Sequence, residues 1–98
     1  MHYLIVQHTI EDYGKWRLVF DADEGFRQGY GIRDPEVFRG ADSPNELLLK
    51  FRVDSLERAR EFISAPDLRE TMARGGVVGI PEVHFIELEQ ERQQRRAA

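Results

Sequence analysis

Three side chains have types and placements suited to moving a proton or holding a ligand: His8, Asp23 and His84. A neutral imidazole is the usual acid–base group near pH 7. Alternation sets His8 in a row with Leu4 and Val6, and His84 in a row with Ile86 and Leu88. If both rows face the helices, the two imidazoles line one pocket. Otherwise each ends a strand, hydrogen-bonded or in an interface between copies. Asp23 follows Trp16 by seven residues and Val19 by four, and precedes Phe26 by three, which sets it on an apolar helix face. A carboxylate there meets a desolvation cost. It either acts as a general base in a pocket or bends to the helix edge and pairs with Arg27, four residues on.

Around these lie candidates for substrate contact. Tyr13, Trp16 and Phe20 form an aromatic stripe that either stacks a planar substrate or is plain core. The Trp16 indole N–H asks for a partner when buried. Arg39 and Arg52, on neighbouring strands, either clamp an anionic ligand or serve as rim charges. His8, His84 and Asp23 are metal-ligand types, but nothing in their spacing supports a site, and no metal or cofactor is expected. The chain has no cysteine, so thiolate nucleophiles and sulfur-rich zinc sites are ruled out. It has no P-loop, and Gly29-Tyr30-Gly31 lacks the third glycine and preceding strand of a dinucleotide fingerprint. Ser43, Ser55 and Ser64 occupy a turn and two helix starts, where no nucleophilic triad is readable. Glu11 and Asp12 read as capping charge.

The elements that must position these residues follow from periodicity. Tyr3 to Thr9 is β-branched and aromatic, a strand. Asp12 caps a helix from Tyr13 to about Gln28, stopped by Gly29 and Gly31. Ile32 to Arg39 makes a second strand, with Asp34-Pro35 arguing for an irregular or edge start. A turn at Ala41 to Asn45 joins it to a third strand, Glu46 to Val53. Asp54 and Glu57 form a capping-box pattern before a helix whose inner face is Leu56, Ala59, Phe62 and Ile63. Ser64 to Asp67 interrupts it, and a short helix through Leu68 and Met72 ends at Gly75-Gly76. After a Gly79-Ile80-Pro81 loop, Glu82 to Leu88 gives a fourth strand, and Glu89 to Ala98 reads as frayed helix or disorder. The order is β-α-β-β-α-β, a ferredoxin-like α+β domain.

Ninety-eight residues make one domain, spanning residues 1–98 with an ordered core at about 3–88. A chain of this size buries only about 60–70% of its unfolded surface. Its strands are also apolar on both faces. Leu47, Leu49, Phe51 and Val53 form one row, while Leu48 opposes them; Leu4 and Val6 oppose Tyr3 and Ile5. Two helices cover one face, so the other implies a partner sheet, most simply a homodimer packed through the open face. The formal charge of −4 provides no footprint for nucleic acid or an anionic membrane. No apolar run exceeds three residues, and Met1-His2-Tyr3 enters the strand pattern with no basic leader, so the expected location is cytoplasmic.

Asp12-Tyr13, Trp16, Phe20-Asp21, Arg27 and Gly31-Ile32 together resemble a motif of the form DY..W...FD.....R...GI. Asp42 to Glu46, Leu56 to Arg60, Ser64 to Arg69 and Gly75 to Val83 extend the likeness, which covers roughly residues 3 to 88. The chain thus resembles the small cyclase-like or antibiotic-biosynthesis-monooxygenase-like proteins of the dimeric α+β barrel superfamily. The resemblance implies a homodimer whose two four-stranded sheets close into a shared barrel, each subunit keeping a pocket between its helices and its own sheet. It further implies a small hydrophobic or aromatic substrate for a cofactor-independent monooxygenase, cyclase or isomerase, or else a non-catalytic ligand-binding or accessory homodimer. Similar sequences often carry histidine where this chain has Asp23, so a mechanism needing imidazole there does not carry over.

Overall fold

A computed structural model describes residues 1–90; the expected disorder or fraying of the tail lies, from residue 91 on, outside the described residues. The chain runs β1 (His2–Ile10), α1 (Tyr13–Ala22), α2 (Glu24–Gly29), β2 (Ile32–Arg39), β3 (Glu46–Val53), α3 (Leu56–Ser64), α4 (Pro66–Arg74) and β4 (Val77–Glu87). The four strands form one antiparallel sheet in the order β2-β3-β1-β4. This is the ferredoxin-like α+β arrangement, with each half of the chain contributing one strand–helix–strand unit.

Register explains which strand face is core. Leu4 lies between Phe51 and Phe85, and Val6 between Leu49 and Val83, all on the face that the helices cover. Leu4, Ile10 and Ile32 are fully buried there, with Trp16 and Phe20 from α1 and Ala59 and Phe62 from α3 packed above them. The opposite face carries Tyr3, Ile5, Leu48 and His84, with Phe38 and Ile86 half exposed.

Local chemistry sets the element ends. The Asp12 carboxylate accepts from the Lys15 backbone N–H at 2.8 Å and starts α1. The first helix does not run unbroken to Gln28: it is interrupted at Asp23, which closes α1 and precedes α2. At the second helix pair the cap is Ser55, whose hydroxyl accepts from the Arg58 N–H at 3.2 Å. Asp54, expected to cap, instead accepts from Arg33 Nε at 2.6 Å, because it ends β3 beside β2. The β2 irregularity falls where Asp34-Pro35 stands: register shifts between Arg33 and Glu36, and Asp34 takes a φ of 53°. Gly31, at φ 73° with the Asp54 Cβ at 3.1 Å from where its own Cβ would sit, makes the tight entry to β2. Gly79 to Pro81 is not a separate loop. β4 begins at Val77 and absorbs those residues in a register shift opposite Gln7 to Thr9.

Candidate functional site

Between the helix layer and the sheet lies a cavity. Its floor is Val6 and His8 of β1 with Leu49 and Phe51 of β3. Trp16, Val19 and Phe20 of α1 form one wall, and Ile63, Leu68, Thr71 and Met72 of α3 and α4 form the other. Asp23, Arg27 and Gly75 complete it. The space between the walls, mouth included, is about 500 Å³, but only about 50 Å³ is wide enough for the centre of a water molecule. As it stands the cavity is a narrow slot.

His8 is the chemical feature of this slot. It reaches the helix-facing side because it continues the Leu4–Val6 row of β1, and only 6% of its surface is exposed. Among the described residues, neither ring nitrogen has a hydrogen-bond partner. Burial pushes its pKa below the ordinary imidazole value, so the ring is neutral at physiological pH. Trp16 meets it edge-on, with ring centroids 6.1 Å apart at 66°. The Trp16 ring stacks on Phe20 at 4.7 Å, and Phe20 leans on Phe51 at 6.2 Å. An imidazole with two free nitrogens in an apolar slot can take or give a proton to a guest, or hold its hydroxyl or carbonyl group.

Arg27 also lines the slot, although the sequence marks it only as a partner for Asp23. It is 5% exposed, its guanidinium lies 3.8 Å from the Phe20 ring centroid, and Nη1 donates to the Phe20 carbonyl at 2.8 Å. The signal was its spacing: seven residues after Phe20 is two helical turns, the same face. Burial lowers its pKa, opposed chiefly by the Asp23 charge, yet a guanidinium stays cationic. Asp23 is half-buried and lines both the cavity and the cleft at its mouth. Desolvation raises its pKa; Arg27 and then Arg74 pull it down, and Asp67 adds a smaller upward push. No ion pair within 4 Å joins Asp23 to Arg27 among the described residues, because Arg27 is turned onto Phe20.

The structure brings His8, Asp23, Trp16 and Phe20 together at this cavity and leaves four other candidates outside it. His84 lies opposite Ile5 on the far side of the sheet, exposed and 3.8 Å from Glu82. Val83 and Phe85 are the inward pair on β4, so His8 and His84 cannot share a pocket. Tyr13 packs at the edge of the core 5.7 Å from Trp16 but does not line the cavity. Arg39 lies over the Tyr13 ring at 4.0 Å and donates to the Pro44 carbonyl at 2.8 Å, which anchors the β2–β3 turn rather than a ligand. Arg52 pairs with Asp34 at 2.8 Å on the open face. No group of three metal-ligating side chains occurs among the described residues.

The backbone has close structural relatives. A Bordetella bronchiseptica protein assigned to the antibiotic biosynthesis monooxygenases superposes with a TM-score of 0.76 over 91% of this chain and 97% of its own, at 12% identity. SnoaB, a cofactor-independent oxygenase from Streptomyces nogalater, gives 0.76 over 95% and 97%, also at 12% identity. This is the antibiotic biosynthesis monooxygenase-like fold. Rv0793 from Mycobacterium tuberculosis shares that fold at a TM-score of 0.67 and 18% identity, over 94% of this chain and 98% of its own. No protein-family model matches the sequence, and no curated protein matches it significantly. Monooxygenase-like folds host varied chemistry, so the reaction must be argued from the slot and not from the backbone.

Proposed function

We propose that this chain binds a slender, hydrophobic, partly planar molecule in the slot beneath α1 and acts on it as a cofactor-independent oxygenase. The observation that carries the proposal is His8: a buried, neutral imidazole whose two nitrogens have no partner among the described residues, in a mostly apolar site. Such a base removes a proton from a C–H flanked by a carbonyl and an aromatic ring, where the anion is delocalised. The imidazolium and the anion then form an ion pair in a medium of low dielectric. The carbanion gives one electron to O2, the resulting radical pair combines to form a C–O bond, and the peroxide anion takes back the proton from the imidazolium to become a hydroperoxide. Loss of water from the hydroperoxide leaves a carbonyl. Substrate supplies the electrons, and the chain supplies a base, a dry slot and aromatic walls. The likeness of the backbone to SnoaB supports this reading.

A second reading, ligand binding without turnover, is favoured by the narrowness of the slot. The two separate on one experiment. Oxygen uptake is followed with 2-indanone, whose methylenes each lie between a ring and a carbonyl, and with anthrone as the wider substrate. Turnover above buffer that is lost in His8→Gln supports the oxygenase. Saturable binding with no uptake by either protein supports the accessory role. We further infer that the open sheet face pairs with a second copy. Across that face the register sets Phe38 beside Leu48, Ile5 beside His84, and Tyr3 beside Ile86, a half-apolar surface that no helix among the described residues covers.

A further inference from the structure

Beside the last turn of α4 a second cleft borders the slot, and the residues there differ in kind from those within. Leu18, Val19, Ala22, Asp23 and Arg74 enclose a cleft, and Val19 and Asp23 belong to both cleft and slot. The two spaces therefore adjoin, with Val19 and Asp23 between them. We propose that Arg74 reads a carboxylate at the end of an otherwise apolar ligand whose body lies in the slot. The inference rests on the reading of the slot as a ligand site and adds the charge class of the guest.

Arg74 has donors to spare. Its Nη2 donates to the Thr71 hydroxyl at 3.3 Å, and Thr71 itself lines the slot. Among the described residues no carboxylate lies within 4 Å of it, whereas Arg33, Arg52 and Arg58 each have such a partner. A planar guanidinium with free N–H groups fits a carboxylate in bidentate fashion. Leu18, 76% exposed on α1, supplies an apolar lip on the same cleft. The floor and walls are mostly apolar, their polar groups being the neutral His8, the ring-bound Arg27, the Thr71 hydroxyl and the Asp23 carboxylate, so an anion held in the interior carries a desolvation cost. A ligand with its charge at the exit and its body inside satisfies every wall. Asp23 works against it: the carboxylate shares the cleft, so an arriving anion is repelled until Asp23 takes up a proton.

Isothermal titration of the full chain tests this with four probes, 4-phenylbutyrate and octanoate and their two uncharged amides. For whichever body fits, ring or alkyl chain, the acid is expected to bind about ten-fold more tightly than its amide, the gain of one charge-assisted contact. Arg74→Gln should erase that ratio and leave amide affinity within about two-fold. Arg74→Lys should keep part of the ratio, and Asp23→Asn should increase it. Equal affinity of acid and amide for the wild-type chain, or a ratio that survives Arg74→Gln, overturns the role of Arg74 while leaving the slot as a ligand site. No binding by any of the four removes the ligand-site reading and this inference with it.

Discussion

Replacing His8 with leucine should make the protein more stable while removing whatever chemistry the imidazole performs. Leucine is close to histidine in size and continues the Leu4–Val6 row of β1 without a polar atom. In the wild type, two imidazole nitrogens lose water on folding and find no protein partner. Mutational data put the cost of a buried, unsatisfied polar group at about 1–3 kcal/mol. The slot admits water only over about 50 Å³, so a single water reaching one nitrogen would recover part of that cost. A gain of about 1 kcal/mol is the expected result, with about 3 kcal/mol as the ceiling. For a chain of this length that corresponds to a Tm increase of about 4–8 °C per kcal/mol. The assay is urea unfolding at pH 8 and fixed protomer concentration, because association would otherwise shift the midpoint.

The same variant carries a pH signature. The folded-state pKa of His8 is lowered, so the unfolded chain binds the proton first as pH falls. Wild-type stability is therefore fully present above about pH 6.5 and declines as pH falls below it. His8→Leu should flatten that decline. Destabilisation by more than about 1 kcal/mol at pH 8, with an unchanged acid limb, would refute the reasoning and mean that the imidazole is satisfied in the native state.

Further outcomes follow from other contacts. A side chain added at Gly75 would begin 3.5 Å from Trp16 Cδ1, so Gly75→Leu should block the slot; ligand-induced quenching of Trp16 fluorescence should vanish while the far-ultraviolet circular dichroism is retained. Ile5→Asp, in the middle of the open face, should convert a dimer to monomers in sedimentation velocity, and wild-type sedimentation as a monomer at micromolar concentration would remove the argument from that face. Asp23 has a raised pKa in the folded state, so its contribution to stability falls as pH rises through that value, above the ordinary 3.8. Asp23→Asn should therefore be as stable as wild type or more so at pH 7, with the difference shrinking toward pH 4; lower stability at pH 7 would show that the carboxylate makes a favourable native contact.

How far the sequence revealed these features differs from residue to residue. His8 was legible because Leu4 and Val6 share its row and β1 is regular through both. His84 was not, because β4 is apolar on both rows: Val83 and Phe85 form one, Ile86 and Leu88 the other. Period-two alternation fixes which residues are grouped but not which group meets the helices. Only pairing does that, with Val6 opposite Val83. The β4 register shift at Gly79 to Pro81 is equally invisible without its partner strand. Asp23 fell on the correct face, but the helix break at that residue has no proline or paired glycine to announce it, and Gly25 comes two residues later. Arg27 was passed over because charge is read as surface. Its burial depends on the Phe20 ring and carbonyl, which only the folded helix pair brings within reach. The slot itself depends on where α4 lies against α1, a long-range packing choice that local patterns do not encode.

The most direct test of the slot is to follow the His8 ring nitrogens by 15N NMR through a pH titration, first alone and then with 2-indanone. The expected result is a neutral ring at pH 6.5, protonating only at lower pH, whose nitrogen shifts move and saturate as ligand is added. A ring that titrates at or above the ordinary histidine value and ignores the ligand would contradict the assignment of His8 as the buried base of a ligand site.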